Sequence, residues 1–255
     1  MAGNRTNPTR PAVFCDFDGT ITQGDVTDRI LEELAAPDWR ALEDEWVRGR
    51  IGSRECLERQ MALVDASEDQ INALIDAVPI DPGFAGFYRF TRARRIPLYV
   101  VSDGFDYIIR RVLRRSGMEG PLENGSHLFS SALQVQNRRL SASFPAPPCE
   151  HGCATCKAEV IERIGRAYDP VIFVGDGLSD RYAIGLAEIV FAKNQLLDYC
   201  RNHDLACRPF ETFADIQAAL SDSATSREME TGKHLTPRSQ GAEPGGVARR
   251  YSGEK

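Results

Sequence analysis

Three times in this chain a short apolar run stops abruptly in acids, serine or glycine. Pro11-Ala12-Val13-Phe14-Cys15 leads into Asp16-Phe17-Asp18-Gly19-Thr20, and Ile96-Pro97-Leu98-Tyr99-Val100-Val101 leads into Ser102-Asp103-Gly104. Pro170-Val171-Ile172-Phe173-Val174-Gly175 leads into Asp176 and then Asp180. Apolar runs of this kind, without polar alternation, read as strands buried on both faces. Helical spacing fills the stretches between them, so the expected fold is α/β, a Rossmann-like parallel sheet whose ligands gather beyond the carboxyl ends of the strands. Acids and glycines populate loops in any such protein. One such strand end would therefore mean little; three carry an argument.

From about Asp25 to Val78 the apolar residues recur at helical spacing: Ile30, Leu31 and Leu34, then Leu42 and Trp46, then Leu57, Met61 and Val64, then Ile71, Leu74 and Ile75. Three or four helices without a strand read as an inserted unit, broken by Pro79, Pro82 and Gly83. Helices are expected over about Phe84–Arg95, Phe105–Ser116 and Lys157–Tyr168, with one or two hairpins within 121–148. Another helix, a short strand Ile189-Val190-Phe191-Ala192 and two further helices are expected to reach about Leu220. From Ser221 the sequence turns to Ser, Thr, Gly, Pro and charges, too poor in apolar residues to offset its ordering entropy. The expected organisation is a discontinuous core (8–24 and 82–221), a helical insertion (25–81) and a disordered tail (222–255).

Composition excludes some partners. With 255 residues and 42% hydrophobic content the chain can bury a core. Its formal charge of −6 repels nucleic acid and anionic membrane surfaces. No run approaches the roughly 20 apolar residues of a membrane span, and MAGNRTNPTR lacks the apolar stretch of a signal peptide. The expectation is a cytoplasmic protein, monomer or homodimer, acting on a small ligand.

The strand ends suit phosphate ester chemistry, which needs a nucleophile, charge neutralisation and an acid for the leaving oxygen. Asp16 and Asp18, two apart on extended backbone, point their carboxylates the same way. One can attack phosphorus while the other handles the proton. Asp176 and Asp180 add oxygen ligands for a hard cation. Ser102 can donate to a phosphate oxygen, Asp103 stands beside it, and Gly104 allows close backbone approach at the start of a helix. Lys157 can hold phosphate and nucleophile together; alone, it would read as a solvated surface lysine.

These four segments, in this order, resemble the four motifs of the haloacid dehalogenase superfamily, and the helical insertion after the first resembles the small cap of its phosphoserine-phosphatase-like branch. The resemblance implies a magnesium-dependent phosphatase with Asp16 as nucleophile and Asp18 as general acid and base. It implies Ser102 and Lys157 as phosphate ligands, and Asp16, the Asp18 carbonyl and Asp176 as magnesium ligands with Asp180 behind them. Within the branch, Pro37-Asp38-Trp39-Arg40-Ala41-Leu42, the spacing Cys149-x3-Cys153-x2-Cys156-Lys157 and the segment Phe191–Cys200 resemble the 2-hydroxy-3-keto-5-methylthiopentenyl-1-phosphate phosphatases of methionine salvage. The competing resemblance is to phosphoserine phosphatase, where a cap arginine meets the substrate carboxylate. Gln60 aligns there, beside Arg59, while Asp25 aligns with an acid for the amino group. Ser102-Asp103-Gly104 lacks a second glycine usual in the salvage enzymes, and the proline-serine usual after Lys157 is missing. A phosphotransferase would use the same residues, and a non-enzymatic binding protein would be expected to have lost one of the aspartates.

Seven cysteines include Cys149, Cys153 and Cys156 within eight residues. This cluster reads either as a small structural zinc site, with His151 or a distant residue as fourth ligand, or as a reduced loop whose thiols merely pack. His127, His203 and His234 have no constellation around them.

Overall fold

In the computed structural model of the chain, which describes residues 10–119 and 127–222, the three apolar runs become neighbouring strands. β1 (Ala12–Cys15) sits centrally, paired in parallel with β2 (Leu98–Phe105) on one side and β5 (Val171–Gly175) on the other. β6 (Ile189–Ala192) and a two-residue β7 (Arg208–Pro209) continue in parallel beyond β5. Beyond β2, β3 (Leu128–Gln136) runs parallel to it and β4 (Arg139–Ser143) returns antiparallel, giving the order β4-β3-β2-β1-β5-β6-β7.

Side chains alternate across this sheet because successive strand residues face opposite ways. Val13, Cys15, Leu98, Val100, Ile172 and Val174 face α5 (Phe84–Ala93), α6 (Asp106–Arg115) and α9 (Phe213–Ser221). Ala12, Phe14, Tyr99, Val101, Val171 and Phe173 face α7 (Lys157–Ile164) and α8 (Asn194–Asn202). Both faces are therefore covered, as a parallel sheet requires.

The stretch between β1 and α5 forms four helices, α1 (Val26–Leu34), α2 (Trp39–Val47), α3 (Ser53–Met61) and α4 (Glu68–Ala77). α1 starts where the Asp25 carboxylate accepts from the Asp28 N–H, and α4 starts at a capping box of Ser67 and Gln70. Their apolar faces, including Val26, Ile30, Leu31, Met61, Ile71 and Ile75, join the same buried cluster as the α5 side of the sheet. Each such side chain contributes about 1.5–3 kcal/mol on burial, so the insertion is fastened to the core. Both tryptophans of the chain, Trp39 and Trp46, lie on α2.

The structure departs from the sequence reading in four places. β2 runs four residues past Val101, where the apolar run stops, with a register shift against β3 between Val101 and Phe105, and Gly104 in this stretch comes close to Asp18. The helix expected after Asp180 is instead two 3₁₀ turns, Leu178–Tyr182 and Ile184–Leu186. There the Asp180 carboxylate draws in the N–H groups of Asp176 and Gly177, which tightens the backbone. α7 ends at Ile164 and continues only as a 3₁₀ turn, Gly165–Ala167. β7 is too short to carry any periodic signal. The expected tail lies, beyond Asp222, outside the described residues, as does 121–126 of the expected hairpin region.

Candidate active site

The carboxyl ends of β1, β2 and β5 and the start of α7 meet at one point. Asp16, 5% exposed, is fixed by its N–H donating to the Val174 carbonyl at 2.9 Å. Lys157 is the first residue of α7, and its Nζ lies 2.8 Å from Asp16 Oδ1 and 2.5 Å from Asp180 Oδ1, with Ser179 Oγ at 3.2 Å. Burial alone would lower the lysine's pKa, but the charges of Asp16, Asp180 and Asp103 hold it well above its ordinary value. The surface-lysine reading is thereby excluded.

Asp16, Asp176 and Asp180 each offer a carboxylate oxygen within 4.8 Å of the others. Burial first, and then the charge of Asp180, push the Asp16 carboxyl well above the usual range, and the same two causes raise Asp176. A single lysine does not neutralise three such groups. Hard oxygen donors in this density fit a divalent cation of the magnesium type. The Asp180 oxygens are already engaged, one by Lys157 and the other by the N–H groups of Asp176 and Gly177 at 3.0 and 3.1 Å. Asp180 thus shapes the site from behind.

Local backbone makes room for this crowding. Gly19 has φ +69°, and a Cβ there would collide with the Asp176 carboxylate. A Cβ at Gly104 would likewise run into Asp18 Oδ2. Thr20 Oγ1 donates to Asp176 Oδ1 at 2.8 Å and Asn194 Nδ2 to Asp176 Oδ2 at 3.2 Å. Lys193 Nζ donates to the Thr20 carbonyl at 3.3 Å. Thr20, Lys193 and Asn194 lie in segments that the sequence already marked, but no role could be assigned to them because no spacing links β1 to the end of β6. Lys193 and Asn194 also line, with Gly19, Gly24 and Phe210, an open cavity of about 480 Å³.

Asp18 projects from the same loop, accepting from the Val26 N–H at 3.0 Å. Burial, followed by the charge of Asp25, raises its pKa well above the usual carboxylate range. Ser102, 1% exposed, accepts from the Gly104 N–H at 3.0 Å, which leaves its own hydrogen free to donate outward.

The residues expected from the helical insertion are divided by the structure. Asp25 opens onto solvent at the start of α1, yet protein matter around it and the charge of Asp28 bring its pKa to about 7. Asp28 is raised to about 6 by burial and Glu43. Gln60 is buried, its Nε2 donating to Glu43 Oε2 at 3.0 Å and to the Trp39 carbonyl at 3.4 Å. Glu43, which no sequence signal marked, thus stands in the acidic group with Asp25 and Asp28. Arg59 points elsewhere: its side chain is 49% exposed and paired with Glu55 and Glu45. Asp103 is also redirected, because one oxygen accepts from Ser53 Oγ at 2.7 Å and the other from the Thr155 N–H at 2.9 Å. Its carboxylate joins α3 to the loop before Lys157.

The cysteines of that loop converge as well. The sulfurs of Cys149, Cys153 and Cys156 lie within 4.8 Å of one another. His151, expected as a fourth ligand, is not with them. Its ring stacks on Tyr182 at a centroid distance of 3.8 Å, with Nε2 toward Glu150.

A sequence profile of haloacid dehalogenase-like hydrolases matches residues 13–184. A protein of Geobacillus kaustophilus named 2-hydroxy-3-keto-5-methylthiopentenyl-1-phosphate phosphatase is 32% identical over 213 residues, covering 82% of this chain and 94% of its own. Proteins with the same name from Geobacillus thermodenitrificans and Bacillus pumilus are 29% and 28% identical, covering 80% and 90% of this chain and 92% and 99% of theirs. A substrate-bound phosphoserine phosphatase structure superposes with a TM-score of 0.63 at 19% identity, over 84% of this chain and 99% of that one. A haloacid dehalogenase family hydrolase from Salmonella enterica serovar Typhi superposes at 0.66 and 16% identity, over 86% and 74%. These two share the fold.

Proposed function

The chain belongs to the haloacid dehalogenase-like hydrolases, and from that premise we propose that it hydrolyses the phosphate ester of a small metabolite through a phosphorylated Asp16, with magnesium as cofactor. The observation that carries this reading is the buried Lys157, shared between Asp16 and Asp180 and surrounded by convergent carboxylates. Asp16 attacks phosphorus, the ester P–O bond breaks, and the leaving oxygen takes the proton held on Asp18. The Asp18 carboxylate then removes a proton from water, whose oxygen attacks the same phosphorus. Phosphate leaves, and Asp16 and the protonated Asp18 are restored. Lys157 and Ser102 bind phosphoryl oxygens and offset charge throughout. Magnesium, held by Asp16, the Asp18 carbonyl and Asp176, would supply further charge neutralisation.

For substrate, the reading supported best is 2-hydroxy-3-keto-5-methylthiopentenyl-1-phosphate, the compound in the names of the relatives. The helical insertion favours it over phosphoserine. It places Asp25 and Asp28 near Asp18, with Glu43 next to those two, while Arg59 is spent on surface pairs. Asp25 would attract the phosphoserine ammonium, but with Arg59 turned to surface pairs the substrate carboxylate would face acids that repel it by Coulomb's law, and the salvage intermediate has no carboxylate.

The test is phosphate release with magnesium from the salvage phosphate, phosphoserine and other small phosphate esters, by the wild type and Asp16→Asn. The expected result is a preference of at least tenfold for the salvage phosphate over phosphoserine, and loss of turnover by more than a thousandfold in the folded variant. Unchanged release by Asp16→Asn would overturn the mechanism. Preference for phosphoserine would overturn the substrate assignment alone.

A further inference from the structure

The loop 146–156 fastens the helical insertion to the core and delivers Lys157. At the start of α3, the Arg54 N–H donates to the Gly152 carbonyl at 3.0 Å, and its guanidinium donates to the Ala146 and Cys153 carbonyls at 2.5 and 3.4 Å. Ser53 Oγ accepts from the Ala154 N–H at 2.9 Å and donates to Asp103. Gly52 and Gly152 pack backbone to backbone, closer than any side chain would allow. The loop has no helix or strand of its own between β4 and α7. What converges inside it is sulfur.

We infer that Cys149, Cys153 and Cys156 form a thiolate site for a zinc ion, which ties the loop holding α3 to the first turn of α7. Tetrahedral zinc with Zn–S bonds of about 2.3 Å places its sulfurs roughly 3.8 Å apart. The three Sγ atoms, each within 4.8 Å of the others, already meet that requirement to within small rotamer adjustments. The chain around them is folded as a thiolate site needs. Gly152, with φ +64°, reverses the backbone, its N–H closes the turn onto the Cys149 carbonyl at 3.0 Å, and the Cys153 N–H donates to Cys149 Sγ at 3.3 Å. Such an N–H···S bond stabilises a thiolate and fixes its direction. Cys156 caps α7 immediately before Lys157, so the third ligand is one peptide from the lysine of the catalytic site.

Among the described residues no histidine, carboxylate or fourth cysteine joins the three sulfurs. The site is separate from the Asp16, Asp176 and Asp180 group, which offers only oxygen. Soft thiolates take zinc, and the carboxylates take magnesium.

The experiment uses the full chain purified without chelator or added metal. Elemental analysis is expected to give close to one zinc per chain. Chain freed of zinc, kept reduced and supplied with excess magnesium, is expected to bind one cobalt(II) with a thiolate-to-cobalt charge-transfer band and the strong visible bands of a tetrahedral ion. Cys149→Ser and Cys153→Ser, checked for folding by circular dichroism, should each lose the charge-transfer band and retain at least tenfold less zinc. Cobalt bound at the carboxylates gives no sulfur band, and Asp16→Asn should keep the band in full, so this result stands apart from the phosphatase reading. Wild-type protein with less than a tenth of a zinc per chain and no sulfur-to-cobalt band would overturn the inference. So would a disulfide among the three cysteines in protein purified without oxygen.

Discussion

In the proposed reaction Asp18 carries a proton at the start, and its surroundings favour that state. Burial and the neighbouring Asp25 charge both favour the neutral carboxyl. A general acid is active only below its pKa, so kcat/KM should fall on the alkaline side as Asp18 loses its proton. Asp25→Asn removes one of the charges that keep Asp18 protonated, and the alkaline limb is expected to move to lower pH. A pH profile of kcat/KM for the variant checks this; an unmoved or raised limb would show that Asp25 does not act on Asp18. At this scale the sequence was most informative where chemistry is tied to strand ends. That Asp16, Asp18, Ser102, Asp176 and Asp180 lie together was legible because short apolar runs announce where a parallel sheet delivers its side chains, whereas Lys157, at the start of α7, was marked only by the family resemblance. Arg59, Gln60 and Glu43 were not. Helical residues one position apart point about 100° away from each other, so which of Arg59 and Gln60 faces inward is decided by how α3 packs on α2.

Among the elements, α4 and α6 illustrate what holds the insertion on the side away from the cysteines. Arg111 makes two bonds to the Asp76 carboxylate, at 2.6 and 2.7 Å, and Arg115 donates to the Asp76 and Val78 carbonyls. The hydrogen bond from Arg111 is the main cause that lowers the Asp76 pKa. A carboxylate with a depressed folded pKa contributes stability above its unfolded value of about 3.9, and that stability is lost as pH falls through the folded pKa. Both side chains are more than a third exposed, so solvent screening limits the pair to about 0.5–1 kcal/mol. Asp76→Asn should therefore lower the urea midpoint at pH 7, with a smaller difference from wild type at about pH 3, below the unfolded value. Equilibrium urea unfolding at the two pH values measures it. None of this was readable beforehand, because pairs between elements far apart in sequence leave no local pattern. The elements themselves were mostly legible. The exceptions were those whose form depends on a distant partner: the shifted end of β2, the 3₁₀ turns drawn in by Asp180, and the two-residue β7.

For the whole molecule, the insertion and the sheet share one buried cluster, running from Ile30, Met61 and Ile75 to Val13, Val100 and Phe213. Separate unfolding of the insertion would expose that cluster from both sides. The two parts are therefore expected to unfold together, and the tryptophans make this measurable. Trp39 and Trp46 both ride on α2, so protein fluorescence excited in the indole band reports on the insertion, while far-ultraviolet circular dichroism reports on the whole. The two urea transitions should coincide within error; an earlier fluorescence transition would reveal the insertion as an independent folding unit. The same placement gives the molecule a built-in optical label. Trp39 receives at its carbonyl the Gln60 amide that also holds Glu43, so whatever disturbs the acidic wall reaches an indole within a few bonds. A ligand that meets the acidic wall is therefore expected to change indole emission, which a titration without dye, tag or turnover would read.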